Sequence, residues 1–294
     1  MLKVLRKPQF RFGLLVLGFV TAWYVILSFR PIVMSLKMAV TDYQILDPGN
    51  SPWVGVEHFK TLLFDYTLFI TAAKNTAVYA LIVTLATIPL SLALASALAH
   101  AVRGRGFYQG AIFLPVVVSM AAIALLFRHL MDPGGVLNHL LNSVGLPKWS
   151  WLVGANSVMP SIAAIAVWKG QGGNVVIMLA GLLAIPEELY DAAKVDGAGA
   201  LRQFRHVTLP LLGPTLKLVL ILVTIGSLQA YQGVMIMTNG GPANHTFMIN
   251  QFVIEEAFSN FRFGLASAGS FIFLIVSLGI AVFQLRIMKS DWEY

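Results

Sequence analysis

Polar side chains are rare within the long apolar stretches of this chain, and several that occur there suit a hydroxylated ligand. In one stretch, Thr224 precedes Ser227, Gln229, Tyr231 and Gln232. At helical spacing, Thr224, Ser227 and Tyr231 share one face, and the two glutamines lie on an adjoining face. A phenol ring can stack on a sugar ring, and hydroxyls and carboxamides both donate and accept hydrogen bonds. We therefore expect Ser227, Gln229, Tyr231 and Gln232 to line a path for a sugar, with packing between helices as the alternative for each residue.

A second apolar stretch carries Gln171 and Asn174 on one helical face, close behind Trp168 and Lys169. We expect Gln171 and Asn174 to contribute to the same path. Lys169 has three candidate roles: contact with an anionic substrate, extension to the outer membrane interface, or pairing with a carboxylate of a partner chain. The sequence favours the second and third roles.

The sequence lacks the arrangements of residues that common enzyme mechanisms require. The chain has no cysteine, its six histidines show no metal-ligand spacing, and no carboxylate pair lies within an apolar stretch. We therefore expect no catalytic residue, no metal site and no cofactor. The phosphate-binding pattern GxxxxGK[ST] is also missing, so the chain does not hydrolyse ATP by that route.

The polar segment at residues 186–214 has the pattern of a helix, a turn and a second helix. Pro186 suits a first helical position, and acidic residues such as Glu188 favour the positive end of the helix dipole. Gly197 permits a turn, and a second helical pattern continues until Leu209-Pro210 ends it. So small a unit buries too little apolar area to be stable alone. We expect it to dock on another protein.

The amino-acid composition indicates whether the polar residues of the apolar stretches lie in a soluble protein or in a membrane protein. Of the 294 residues, 57% are hydrophobic and 11% are charged, whereas about a quarter of a soluble domain is charged. The chain is therefore predicted to be a membrane protein. Its net charge of +7 is scattered between apolar runs, which argues against nucleic-acid binding.

Six stretches are long and apolar enough to cross a bilayer core of about 30 Å as helices. Their approximate limits are residues 13–36, 75–99, 106–127, 157–183, 218–238 and 263–285. Twelve Lys and Arg residues lie in the loops on one side and six on the other, so the positive-inside rule places both termini in the cytoplasm. The predicted fold class is an all-α membrane protein with six transmembrane helices, whose first span is retained as a signal anchor.

The cytoplasmic segment resembles the coupling loop of the permease subunits of binding-protein-dependent ABC importers. That family carries Glu-Ala-Ala, three residues, Gly, nine residues, Ile, one residue and Leu-Pro. This chain has Asp191-Ala192-Ala193, Gly197, Val207 and Leu209-Pro210 at the same spacing. In addition, Thr238-Asn239-Gly240-Gly241-Pro242 is similar to a segment of one permease in carbohydrate importers. The resemblance covers nearly the whole chain and is strongest to sugar and glycerol-phosphate permeases of MetI-like fold.

The resemblance implies that the loop between spans 4 and 5 inserts into a groove of a cytoplasmic ABC ATPase dimer. Asp191 would be the acidic contact, Ala192 and Ala193 the close-packed face, and Gly197 the turn. The implied docking residues are Glu188, Asp191, Ala192, Ala193, Asp196, Gly197, Leu209 and Pro210. A solvated loop that only connects two spans is the alternative.

The resemblance also implies the rest of the assembly. A second homologous permease and an extracytoplasmic solute-binding protein would complete the transporter in a bacterial or archaeal inner membrane. The chain would comprise a cytoplasmic tail at residues 1–12, a permease domain at 13–288 with its coupling loop at 186–214, and a second tail at 289–294.

The expected substrate is a di- or oligosaccharide or a related sugar. A glycerol-phosphate or polyol substrate is the alternative within the same class of transporter. An ion-coupled secondary transporter is the alternative from a different class, but the spans lack the clustered Asp or Glu residues that would bind a coupling ion.

Overall fold

The computed structural model describes residues 8–99 and 104–287, whose regular secondary structure is helical apart from one isolated β-bridge between Thr41 and Trp53. The predicted tail at 289–294 lies outside the described residues, as do the first seven residues of the predicted tail at 1–12. A helix begins at Pro8, so residues 8–12 of that tail are helical.

The described residues form fifteen α-helices. They are α1 (Pro8–Tyr24), α2 (Arg30–Ala39), α3 (Glu57–Lys60), α4 (Thr67–Ala99), α5 (Arg105–Val117), α6 (Met120–Leu130), α7 (Val136–Ser143), α8 (Val158–Leu183), α9 (Glu187–Val195), α10 (Ala200–Gln203), α11 (Leu209–Leu211), α12 (Gly213–Leu228), α13 (Gln232–Thr238), α14 (Ile249–Ile254) and α15 (Phe263–Ile287). Four π-helical turns adjoin them, at Val25–Phe29, Thr61–Asp65, Phe204–Thr208 and Glu255–Ser259.

The lengths and composition of these helices confirm an all-helical membrane protein. Four continuous helices are long and apolar enough to span a bilayer: Phe12–Ala39, Thr67–Ala99, Val158–Leu183 and Phe263–Ile287. Two helix pairs also pass when taken together, α5 with α6, bent by 93°, and the Ala200–Leu211 segment with α12, bent by 69°. Counting each bent pair as one span gives six.

Two of the predicted spans are broken where a continuous helix was expected. The third is interrupted between α5 and α6, where Ser119 caps the new helix by accepting a hydrogen bond from the Ala122 N–H at 3.3 Å. The fifth was expected at residues 218–238, but α12 ends at Leu228 and α13 starts at Gln232. The predicted shared face of Thr224, Ser227 and Tyr231 is therefore wrong, because helical periodicity does not extend across the break.

The described residues cluster into two compact units, one formed by the chain up to Thr67 with Val253–Ile272, and the other by Leu68–Phe252 with the chain from Phe273 onward. The assignment of residues 13–288 to one permease domain stays a prediction.

In the first unit, a buried carboxylate connects distant parts of the sequence. Glu256 is almost fully buried, and Tyr66 donates its hydroxyl proton to the carboxylate Oε1 at 2.7 Å. Arg262 places Nη1 3.8 Å from Oε2 of the same carboxylate. Burial, reinforced by the hydrogen bond to Glu256, raises the pKa of Tyr66 above its ordinary value. The phenol therefore remains protonated and continues to donate at neutral pH.

In the second unit, α8 forms the centre of the core, with fully buried side chains that include Val158, Ile162 and Met178. The approach of α8 to α5 depends on Gly172. A Cβ at this position would lie 2.8 Å from the Cα of Phe113 and 2.9 Å from the carbonyl oxygen of Ile112. Small residues of this kind let helix backbones pack closely in membranes.

We predict that Gly172→Ala destabilises the protein, because the new methyl group would meet the backbone of α5 and force the helices apart. Overpacking of this kind costs about 1–3 kcal/mol. Thermal unfolding of the purified protein in detergent measures the effect, and Gly173→Ala is the matched control, since no atom lies within 4 Å of a Cβ at Gly173. Equal melting temperatures for the two variants would contradict the close contact.

Candidate coupling loop and substrate path

The first arm of the cytoplasmic loop is the helix α9. It follows Pro186, whose backbone is extended, and it carries Glu187 and Glu188 in its first turn and Lys194 in its last. These charges complement the positive and negative ends of the helix dipole. No residue of α9 is fully buried, and all except Tyr190 and Ala193 are exposed, so most of its surface is accessible to a partner.

Gly197 ends this arm in a left-handed conformation with φ of +74°. The N–H of Ala198 donates to the carbonyl of Ala193 at 2.8 Å, and the N–H of Gly197 donates to the carbonyl of Lys194 at 3.0 Å. This pair of bonds is a Schellman motif, which satisfies carbonyls at the end of a helix. No atom lies within 4 Å of a Cβ at Gly197. The backbone angle, not lack of space, therefore requires glycine here.

The second arm runs through α10, the π-helical turn Phe204–Thr208 and α11. Two hydrogen bonds connect it to the first arm and the turn: Tyr190 Oη lies 3.0 Å from Thr208 Oγ1, and Gln203 Nε2 donates to the carbonyl of Ala198 at 2.8 Å. Leu209-Pro210 was expected to end the helix, but the proline lies in the first turn of α11, where its missing N–H leaves no bond unmade. The actual change of direction comes after Leu211.

Few side chains on the surface of the loop contact other parts of the described chain. Asp191 pairs with Lys194 at 2.8 Å in an exposed contact, and this carboxylate raises the pKa of Lys194. Val195 and Leu201 are 88% and 81% exposed, so both side chains are available for contact with a partner. Of the predicted docking residues, Ala193 is partly buried, and the exposed ones are Glu188, Asp191, Ala192, Asp196, Gly197, Leu209 and Pro210.

A cavity of about 380 Å³ in the second unit lies at both helix breaks. Val116 and Met120 line it from either side of the break between α5 and α6. Residues from Gln229 to Val234 line it at the break between α12 and α13, and Lys169 and Tyr79 complete the polar lining. Discontinuous helices at membrane depth are a recurrent way of building transport sites, because they place backbone and side-chain polar groups around a ligand.

The predicted path residues divide into two groups of three. Gln229, Tyr231 and Gln232 lie in the wall of this cavity. Gln171, Asn174 and Ser227 do not.

The three residues outside the cavity wall make contacts within or between helices. Gln171 is buried and accepts a hydrogen bond from Ser91 Oγ at 2.7 Å. Ser227 is buried and donates to the carbonyl of Thr224 at 2.9 Å. Asn174 donates to the carbonyl of Gly170 at 2.9 Å. These contacts match the packing alternative, because each of the three side chains makes a hydrogen bond within the protein.

Two polar residues of the cavity were missing from the predicted path. Lys169 was expected to reach the outer interface or to pair with a partner chain. Tyr79 had no signal at all, because it is a solitary aromatic residue in a long apolar helix. Helical periodicity identifies a shared face, but it does not identify which face meets a cavity.

Comparison with known proteins identifies the class of molecule to which this loop and cavity belong. Residues 87–289, more than two thirds of the chain, match the family described as "Binding-protein-dependent transport system inner membrane component". The chain belongs to this family. Every predicted docking and path residue lies within the matched range.

Individual relatives agree with this assignment. The permease is 32% identical to the diacetylchitobiose uptake system permease protein of Streptomyces coelicolor, over 92% of its own chain and 80% of the relative. It is 31% identical to the sn-glycerol-3-phosphate transport system permease protein of Agrobacterium fabrum, over 83% and 84%. A crystal structure of a bacterial ABC transporter that imports the acidic polysaccharide alginate has a chain of the same fold, with a TM-score of 0.82, 24% identity and 99% coverage of both chains.

Family membership establishes several of the expectations. The protein is a multi-pass inner-membrane permease of an ABC importer and is not itself an ATPase. The alternative of an ion-coupled secondary transporter is therefore wrong.

We predict that Gly197→Val abolishes ATP-driven uptake while the protein still reaches the membrane. A β-branched residue resists φ above zero by about 1–2 kcal/mol, so the turn between the two arms would be lost. Gly199→Ala is the matched control, because Gly199 has φ of −69° and equally open surroundings. Gly197→Asn should keep part of the activity, since Asn tolerates this conformation. Full uptake by the valine variant would refute the role of the turn.

Proposed function

We propose that this permease forms, with a second homologous permease, the membrane path for a sugar of the di- or oligosaccharide type. The observation that carries the proposal is the cavity at the two helix breaks, where Tyr231 lies between Gln229 and Gln232. An aromatic ring offers a stacking surface for a sugar ring, and the carboxamides can pair with hydroxyls that both donate and accept. A solute-binding protein would deliver the sugar from outside.

The names of the relatives support a hydroxylated substrate. They include permeases for diacetylchitobiose, arabinooligosaccharides and sn-glycerol 3-phosphate. All of these compounds carry several oxygen-bearing groups, which suits a cavity lined by carboxamides and a phenol. A glycerol-phosphate or polyol substrate remains the second candidate, because the cavity also contains the cationic Lys169.

The energy for transport would enter through the cytoplasmic loop. In this proposal, Asp191, Ala192 and Ala193 enter a groove on an ATPase dimer, and both termini lie on the same side of the membrane as the ATPase. The exposure of Val195 and Leu201 supports docking, since burial of these side chains against a partner would be favourable. The second arm of the loop continues, after a bend, into α12, and α12 ends at the cavity. Movement of the loop could therefore reach the cavity through α12.

We predict that Tyr231→Ala raises the KM for sugar uptake, because the variant loses the stacking surface. Aromatic contacts of this kind contribute about 0.5–1.5 kcal/mol, which corresponds to at most roughly tenfold in affinity. Tyr231→Phe should have a smaller effect, since it keeps the ring and loses only the hydroxyl, which contacts Met235 Sδ at 2.7 Å.

Uptake by the complete transporter in proteoliposomes, loaded with its binding protein, measures both variants. Recovery of the ATPase and the second permease with each variant is the control for assembly. An unchanged KM for Tyr231→Ala across the transported substrates would contradict a role in the path.

A further inference from the structure

Lys169 lies near the middle of a membrane-spanning helix. It is the twelfth of the 26 residues of α8, so at 1.5 Å per residue it is roughly 16 Å from the start of the helix and roughly 21 Å from its end. Half of a bilayer core is about 15 Å. A lysine side chain is too short to cross that distance, so we infer that Lys169 does not extend to the outer interface, one of the two roles favoured from sequence.

The protein gives the ammonium group little compensation. Its hydrogen-bond partner is the carbonyl of Val116, near the carboxyl end of α5, and the distance of 3.5 Å is long for such a bond. Within residues 8–99 and 104–287, the ion pairs are Lys194 with Asp191 and Arg262 with Glu256, and neither involves Lys169. An ammonium has three donors. Most of its bonding capacity is therefore open.

The surroundings of this charge show what could compensate it. Lys169 lines the same cavity as Gln229, Tyr231 and Gln232, so a ligand held by those residues would be next to the ammonium. A charged group at membrane depth is costly without a partner, and such groups mark the paths of substrates and ions. Hydrogen bonds between an ammonium and an ionised acceptor are about twice as strong as neutral ones.

We propose that Lys169 makes the path selective for an anionic carbohydrate or polyol, one that carries a carboxylate or a phosphate. This inference rests on the proposed function, in which the cavity is the substrate path. Lys169 holds the anionic group, while Gln229, Tyr231 and Gln232 contact the ring and the hydroxyls. The alternative partner, a carboxylate of the second permease, is an outcome of the test.

The first experiment identifies the charge of the natural ligand without any variant. The cognate solute-binding protein is purified from its native host, and the small molecule that it carries is released and identified by mass spectrometry. A carbohydrate or polyol with a carboxylate or phosphate supports the proposal, and its mass spectrum shows which of the two anionic groups it carries. A neutral sugar overturns the role of Lys169 and leaves the sugar path intact. A ligand of another class overturns the proposed function itself.

The second experiment tests the residue in the complete transporter with that ligand. Lys169→Gln should raise the KM for uptake by roughly tenfold or more, as expected for loss of one charged hydrogen bond, and Lys169→Arg should retain most of the uptake. Lys148→Gln, in an exposed loop outside the cavity, is the control. Unchanged uptake by Lys169→Gln overturns the proposal.

A further result separates substrate contact from subunit pairing. If Lys169→Gln fails to assemble with the second permease while Lys169→Arg assembles, and a neutral ligand is found on the binding protein, then Lys169 pairs with a partner carboxylate and the proposal is overturned. If assembly of Lys169→Gln fails although the ligand is anionic, Lys169 is likewise a contact between the subunits, and the proposal is overturned.

Discussion

Polar groups of the backbone and side chains inside a bilayer must form their hydrogen bonds within the protein. The cavity lies at two broken helices, so it depends on side chains that supply these hydrogen bonds at each break. At the first break, the side chain of Ser119 caps α6 and Lys169 lies near the last carbonyls of α5. At the second, Asn250 Nδ2 donates to the carbonyl of Gln229 at 3.1 Å. These side chains replace some of the lost helical bonds, which helps irregular backbone to be tolerated at membrane depth, and the polar groups of the breaks surround one space.

The cytoplasmic loop differs from the cavity because it lies outside the bilayer and little of its surface is buried. Its shape depends on the Schellman motif at Gly197 and on the contact between Tyr190 and Thr208 rather than on a core. A loop with fixed shape and exposed apolar side chains suits transfer of a partner's movement. The 16 residues of α12 connect this side of the molecule to the cavity, a distance of roughly 24 Å at 1.5 Å per residue.

Composition and local pattern predicted the helices, the family and the form of the loop, because each depends on short-range features such as apolar length and the spacing of Asp191, Gly197 and Leu209. The cavity at the two helix breaks was only partly predictable. Ser119 is a recognisable helix cap, but the break at Gln229 to Tyr231 contains neither Pro nor Gly, so nothing local indicates it. Gln171 was expected in the cavity wall and lies outside it, whereas Tyr79 was not expected there and lies in it. Both outcomes depend on which helices are neighbours, and that is a property of the tertiary structure.

The cytoplasmic loop is proposed to contact the ATPase that drives transport, and a crosslink between the two proteins tests this contact directly. The chain has no cysteine, so Ala192→Cys can be labelled at a single site with a thiol-reactive photo-crosslinker and assembled into the complete transporter. If the loop docks on the ATPase, Ala192→Cys gives a covalent adduct with the ATPase subunit. Gly49→Cys, in the loop between α2 and α3 that the positive-inside rule predicts to be outside the cell, gives none. Efficient labelling of both variants without an ATPase adduct from position 192 would contradict the proposed contact.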